Sequence, residues 1–238
     1  MPTTALGLLG FGFLLGLRHA LDVDHVAAVS TIVSERRSLW SSSVVGALWG
    51  LGHTAALLAA ALAVVALHAE IPPRVALGLE LGVALMLIGL GLNLLWTLWA
   101  GGRLHHHAHR HGLRRHVHPH VHPHAHGEEL AGHHPVGIGR KPLLVGVVHG
   151  LAGSAGLMLA VCATIPSAPL ALGYVAVFGC GSIAGMVAMS ALLGMPLALA
   201  AERFAGAERA LRACAAVGSV TVGVVLASRL GLEASRFF

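Results

Sequence analysis

The chain has 238 residues, of which 56% are hydrophobic and 11% are charged, whereas an ordinary soluble domain has about 25% charged residues. This composition excludes a water-soluble domain, because the uncharged stretches are too long to leave a polar outer shell. The net charge of +5 does not indicate a nucleic-acid partner, because the basic residues are scattered between apolar runs and form no basic and aromatic face.

Six apolar segments are long enough to cross a bilayer as helices, which takes about 20 apolar residues each. In chain order they lie at 4–33, 40–67, 75–100, 142–165, 169–195 and 207–228. The first is predicted to be one mature transmembrane helix rather than a signal peptide, because it has polar groups in its middle and no basic leader. The predicted fold class is therefore all-α, a polytopic membrane protein with six transmembrane helices.

The distribution of Lys and Arg predicts the orientation in the membrane. The loops after the first, third and fifth segments carry eleven of these residues, and the opposite side carries three. Cytoplasmic loops are enriched in Lys and Arg, so we expect these three loops to be cytoplasmic and both termini to face outward. We expect the protein in the plasma (inner) membrane, with lipid as its main surroundings.

A long insert between the third and fourth segments is rich in histidine: 13 of the 18 histidines lie between residues 103 and 135. Alternating His and Pro favours neither a helix interior nor a buried strand, so we predict a mobile cytoplasmic loop. Many imidazoles close together would hold Ni²⁺, Co²⁺, Cu²⁺ or Zn²⁺ loosely, unless the loop is only a solvated linker. A metal-accepting chaperone could contact the protein at this loop.

The two halves of the chain resemble each other in sequence. Gly16 to Leu21 parallels Gly146 to Leu151, and Trp49 to His53 parallels Phe178 to Ser182. Each half has three predicted crossings, so the second enters the membrane from the opposite side, as in the inverted repeats of secondary transporters. We predict a first half at 1–102, the His-rich loop at 103–140 and a second half at 141–238.

Ionisable residues are concentrated in the first segment, where burial in a membrane is costly unless the groups bind something. On a regular helix His19, Asp22 and His25 share one arc, while Asp24 lies nearer the opposite side and would join them only if the helix unwinds locally. Imidazole and carboxylate donors together suit a divalent transition metal ion. The alternative is a buried network in which Arg18 pairs with Asp22.

Two further histidines lie inside apolar segments. His53 follows small residues in the second segment, and His149 occupies the place in the second half that matches His19 in the first. Each is a candidate metal ligand, although a single buried histidine is often a hydrogen-bonded packing residue. Glu80 in the third segment would either relay protons or pair with Arg18 or a helix end.

These motifs resemble those of the nickel/cobalt transporter (NiCoT) superfamily. Residues 19–25, HALDVDH, resemble its H-x4-D-H signature, residues 51–54 are similar to its LGH-S/T motif, and residues 149–154 are similar to smaller members associated with urease maturation. The resemblance implies that His19, Asp24, His25 and His53 are needed for transport. Helical spacing favours Asp22 and the motif favours Asp24, so both remain candidates. The larger permeases of this superfamily have eight helices, whereas six are counted here.

The predicted function is secondary transport of a divalent metal ion, with Ni²⁺ as the first candidate and Co²⁺ as the second. The ion is expected to be the transported substrate and not a prosthetic group. The predicted ligands are His19, Asp22, Asp24, His25, His53 and His149. We favour uptake, and efflux is the alternative. Non-transport alternatives are an intramembrane zinc hydrolase, although no general base or substrate pocket is evident, and a metal buffer or sensor that acts through the loop.

Overall fold

The architecture is helical apart from one short hairpin. The computed structural model describes residues 2–36, 38–67, 72–100, 105–111, 114–120, 140–152, 164–165, 167–203 and 205–237. Within these residues, the helices are α1 (Pro2–His19), α2 (Val23–Val33), α3 (Leu39–Leu67), α4 (Pro73–Trp99), α5 (Lys141–Gly150), α6 (Ala168–Arg203) and α7 (Ala205–Phe237), and the strands are β1 (His105–His111) and β2 (Arg114–His120).

Four helices are long and apolar enough to cross a membrane, namely α3, α4, α6 and α7. The pair α1 and α2 passes the same test together, which makes up to five spans among the described residues. The protein is therefore a multi-pass membrane protein, as its composition predicts. Of the predicted fourth segment, 142–165, the structure describes a helix only to Gly150, and residues 153–163 lie outside the described residues. The count of six crossings stays a prediction.

The prediction of one continuous helix over 4–33 is wrong. α1 ends at His19, α2 begins at Val23, and the two axes are bent by 56°. The backbone tightens at the break, where the amides of Leu21 and Asp22 donate to carbonyls three residues earlier. Asp22 is extended and occupies the N-cap position of α2, with Asp24 in the first turn. Aspartate is favoured at both positions, because the start of a helix has unpaired N–H groups and a positive dipole end.

Part of the predicted mobile loop has regular backbone structure, so this prediction also needs correction. β1 and β2 pair antiparallel, with His105 opposite His120 and His111 opposite Arg114. The pair forms a two-stranded sheet, in which each strand keeps an outer edge. Proline is tolerated at such an edge because it need not donate to the ladder, which explains why Pro119 is compatible with β2.

Glycines allow very close approach between several pairs of helices. A Cβ atom on Gly16 of α1 would collide with the carbonyl oxygen of Phe178 in α6, and one on Gly181 with that of Phe13. Small residues at helix interfaces let backbones approach closely in membranes. The pair α1 and α6 is therefore packed backbone to backbone.

The same arrangement recurs between α3 and α5. A Cβ atom on Gly146 of α5 would collide with the carbonyl oxygen of Trp49 in α3, and one on Gly52 with that of Leu143. These contacts hold the short helix α5 against the middle of α3. His53 and His149 lie on these two helices, so the glycines position both side chains.

Candidate metal centre

Four histidines from four helices meet in the interior of the bundle. His19 is the last residue of α1, His25 lies in the first turn of α2, His53 lies midway along α3, and His149 lies in the last turn of α5. The ring centroid of His25 is 4.4 Å from that of His19, 5.3 Å from that of His53 and 4.1 Å from that of His149. His25 is therefore the centre of the cluster.

All four imidazoles are removed from the surface. The exposed fraction is 8% for His19, 0% for His25, 0% for His53 and 2% for His149. Buried polar groups are normally hydrogen-bonded, because an unpaired group loses its interaction with water without replacement. The number of hydrogen-bond partners of each imidazole therefore indicates whether the cluster is a satisfied structural network.

Two aspartates from the helix break orient three of the histidines. Oδ2 of Asp22 accepts from Nδ1 of His19 at 2.7 Å. Asp24 accepts from Nδ1 of His25 through Oδ1 at 3.2 Å and from Nε2 of His149 through Oδ2 at 2.8 Å. A carboxylate cannot donate when ionised, so each of these ring nitrogens carries the hydrogen and the other nitrogen keeps its lone pair.

The nitrogens that keep lone pairs have no hydrogen-bond partner among the described residues. The buried ring nitrogens without a hydrogen bond are Nε2 of His19, Nε2 of His25, both nitrogens of His53 and Nδ1 of His149. A carboxylate that holds one ring nitrogen while the other points to an ion is the usual support for a metal-bound histidine. The arrangement can therefore present several neutral imidazole donors to one cation.

The donors fall into two overlapping sets. His19, His25 and His53 form one, and Asp24, His25 and His149 form the other, and within each set the ligand atoms lie within 4.8 Å of one another. Because His25 belongs to both, the two sets are adjacent. Asp22 is in neither set and is 54% exposed; its role in the structure is to hold His19.

Two aromatic rings pack against the histidine cluster, and neither was among the predicted site residues. The Trp49 ring is 5.2 Å from the His25 ring and 5.7 Å from the His149 ring, and the Phe178 ring is 5.5 Å from the His19 ring. Trp49 and Phe178 are the paired first residues of the internal repeat, and this correspondence is the signal that could have identified them. Their rings fix the histidine planes from outside.

The ion pairs that were considered as alternatives do not form among the described residues. Asp22 bonds to His19 rather than to Arg18, and Glu80 has no salt bridge. The buried polar network is therefore made of histidine and aspartate, and no Lys or Arg of the described residues forms an ion pair with the two carboxylates. The geometry brings His19, Asp24, His25, His53 and His149 together, with Asp22 at the margin.

A known protein is similar in sequence to this chain over most of the length of both. The urease accessory protein UreH of Bacillus sp. (strain TB-90) is 34% identical over 203 residues, which are 83% of this chain and 81% of the relative. No family model and no solved structure matches the chain. With that identity across most of both chains, the chain belongs to the nickel/cobalt-transporter-like (NiCoT-like) family that includes this urease accessory protein.

Proposed function

We propose that the protein is a secondary transporter that carries Ni²⁺, and also Co²⁺, into the cell through the histidine cluster. The observation that carries this proposal is the meeting of four buried imidazoles whose free nitrogens have no partner in the part of the chain that the structure describes. A structural network would satisfy those nitrogens, whereas a site that must bind and release an ion leaves them available. Membership of a NiCoT-like family favours nickel and cobalt over zinc.

The ligands in this proposal are the free nitrogens of His19, His25 and His53, with His149 and Asp24 as the adjacent set. Nitrogen donors lie about 2.0–2.1 Å from a first-row ion such as Zn²⁺, so two donors across the ion are about 4 Å apart. Within each set, one possible ligand atom from every residue lies within 4.8 Å of the others, so the side chains are close enough to surround one ion. Asp22 and Asp24 keep the imidazoles oriented and offset the charge of the cation.

Two helix C-termini add a favourable field for a cation, and the opposing positive end of α2 is offset by the carboxylates of Asp22 and Asp24. α1 ends at His19 and α5 ends at Gly150, directly after His149. The C-terminal end of a helix is the negative end of its dipole, because its last carbonyl groups have no helical partner. Interrupted helices whose ends face the ion are also the typical construction of binding sites in secondary transporters.

Paired glycine contacts support the proposal of two inverted halves at 1–102 and 141–238. The contact of Gly16 with Phe178 and that of Gly146 with Trp49 are equivalent under the sequence repeat, because Gly16 corresponds to Gly146 and Phe178 corresponds to Trp49. The pair α4 and α7 follows the same rule, since a Cβ atom on Gly91 would lie 2.6 Å from Ala216 O and one on Gly223 would lie 2.7 Å from Ala84 O. Exchange of conformations between such halves would expose the ion to each side in turn.

Uptake, rather than efflux, fits an accessory protein of urease, since metal supplied to an enzyme inside the cell must enter it. The test is accumulation of radioactive nickel in cells that express the full chain, compared with cells that carry an empty vector. We expect accumulation with the natural chain and none above background with His53→Gln, which keeps a polar side chain but removes the imidazole.

Ser219→Ala is the matched control, because the buried Ser219 hydroxyl donates to the Leu87 carbonyl and Ser219 belongs to neither set of candidate ligands. It should transport like the natural chain. Depletion of nickel relative to empty vector would mean efflux. Equal content in all cells, with the protein shown to be in the membrane, would contradict transport and leave the zinc hydrolase to be tested.

A further inference from the structure

A cavity of about 290 Å³ adjoins the histidine cluster and has an acidic wall. Its polar lining residues are His19, Asp22, Asp24, Glu80 and His149. The wall therefore has three carboxylates, and no Lys or Arg of the described residues lines it. Two of its histidines are at least nine-tenths buried and keep unpartnered nitrogens, Nε2 of His19 and Nδ1 of His149. The cavity thus leads to free metal donors.

Glu80 is the carboxylate in this wall that the histidine cluster does not use. Asp22 and Asp24 are hydrogen-bonded to histidines, whereas Glu80 forms neither a hydrogen bond nor a salt bridge with another described residue. It lies in the apolar helix α4, where a carboxyl group is unfavourable unless it faces a polar cavity or binds something. Packing in α4 gives no reason for an acidic residue here.

The position of Glu80 along α4 indicates in which half of the membrane this residue lies. Glu80 lies two turns from the start of α4 at Pro73, and the basic cytoplasmic loop follows the other end of this helix at Trp99. By the distribution of Lys and Arg, Glu80 is in the outer half of the membrane. Glu80 therefore lies at the outer end of the cavity, from which an imported cation arrives, whereas His149 lies eight residues from the start of α5 at the cytoplasmic loop.

We propose that Glu80 is a further cation-binding residue, which with Asp22 forms an acidic vestibule that captures the hydrated divalent ion before it reaches the histidines. This rests on the proposed function for its biological purpose. Carboxylate oxygens suit a cation that still carries water, whereas imidazole nitrogens suit the dehydrated transition metal. A cleft lined by one sign of charge raises the association rate of its ligand by about 10- to 1000-fold and makes it dependent on salt.

The test measures the rate of Ni²⁺ association with the purified full chain in detergent. Trp49 packs against His25 and His149, so quenching of its fluorescence reports arrival of the ion at the cluster. The other three tryptophans, Trp40, Trp96 and Trp99, are replaced by Phe in every variant. Glu80→Gln should lower the association rate by about tenfold at low salt and flatten its dependence on ionic strength, with an unchanged dissociation rate.

Glu233→Gln is the matched control. Glu233 in α7 interacts electrostatically with Glu80 but does not line the cavity, so its replacement should leave the association rate within about twofold of the natural value, below the range of steering effects. Glu80→Asp keeps the carboxylate and should retain most of the rate. Equal rates for the natural chain and Glu80→Gln, or equal losses for both Gln variants, would overturn the proposal.

This measurement separates the vestibule from transport itself. Association in detergent needs no gradient and no conformational cycle, so it gives a result even if the natural chain fails to accumulate nickel in cells. In cells, Glu80→Gln should raise the nickel concentration for half-maximal uptake by the same factor and leave the maximal rate unchanged. Loss of the maximal rate with an unchanged association rate would contradict a capture role.

Discussion

Nε2 of His149 in α5 donates to Oδ2 of Asp24 in α2 at 2.8 Å, across 125 positions of the chain. The same carboxylate accepts from Nδ1 of His25 at 3.2 Å. One side chain therefore holds a histidine of α2 and a histidine of α5. Asp24 is thus the residue that fixes the position of His25 relative to His149.

Replacing Asp24 by Asn should lower the Ni²⁺ affinity by about 10- to 100-fold, the usual loss when the support of a metal-bound histidine is removed. The amide cannot accept from both histidines with full charge, and it no longer offsets the charge of the cation. The measurement is calorimetric titration of the purified chain with Ni²⁺.

Asp22→Asn is the comparison for this prediction. Asp22 holds only His19 and is 54% exposed, so its loss should weaken binding less than the loss of Asp24. A larger effect at Asp22 than at Asp24 would mean that the exposed carboxylate, and not the bridging one, supports the ion.

Sequence reasoning located the cluster but not the way in which it is built. The family motifs and the cost of ionisable groups in a membrane pointed to His19, His25, His53 and His149, which the structure brings together. Helical spacing grouped Asp22 with His19 and His25 on one arc of a continuous helix, and that premise was wrong. Apolar residues continue through the break, so hydropathy does not reveal it.

The break did have a local signal. An Asp-x-Asp pair at residues 22–24 is typical of a helix start, where both carboxylates lie near unpaired N–H groups. The hairpin of residues 105–120 had no comparable signal, because strand register is normally read from alternating apolar residues and this segment has few. The similarity to the urease accessory protein confirmed the predicted NiCoT-like family.

Gly52 provides a test of the close packing between α3 and α5. A valine there would push a Cβ atom into the Leu143 carbonyl group, and overpacking of this kind costs about 1–3 kcal/mol or more. We expect Gly52→Val to lower the melting temperature of the purified protein in detergent and to weaken Ni²⁺ binding, because α5 also positions His149.

Gly218→Val separates this packing effect from a general effect of valine in a helix. Apart from its own helix turn, no described residue lies within 4 Å of the position that a Cβ atom on Gly218 would take, so this variant should melt near the natural temperature. Similar losses of melting temperature at Gly52 and Gly218 would contradict the proposed close contact between α3 and α5.

Trp49 is expected to position the histidines rather than to bind the ion. It is fully buried, and its ring packs beside His25 and His149. Trp49→Ala should destabilise the protein by about 3–5 kcal/mol through the cavity that it leaves and should weaken Ni²⁺ binding because both rings gain freedom. The measurements are chemical unfolding in detergent and metal titration.

Trp49→Phe retains a ring but removes the indole N–H group, which has no hydrogen-bond partner in the structure. It should keep most of the Ni²⁺ affinity. If Phe were as harmful as Ala, the indole itself would have to contribute something that packing does not explain.

Removal of residues 103–135 distinguishes a transporter from a metal buffer or sensor. The cluster is built from α1, α2, α3 and α5, and the excised segment lies between α4 and α5, where β1 and β2 pair in a two-stranded sheet. With a Gly/Ser linker in its place, the chain should keep most of its maximal nickel uptake in cells, because none of the four clustered histidines is lost. His53→Gln in the shortened chain should abolish that uptake. Loss of uptake on deletion, with an unchanged melting temperature and unchanged Ni²⁺ binding at the cluster, would instead make the His-rich segment part of the transport route.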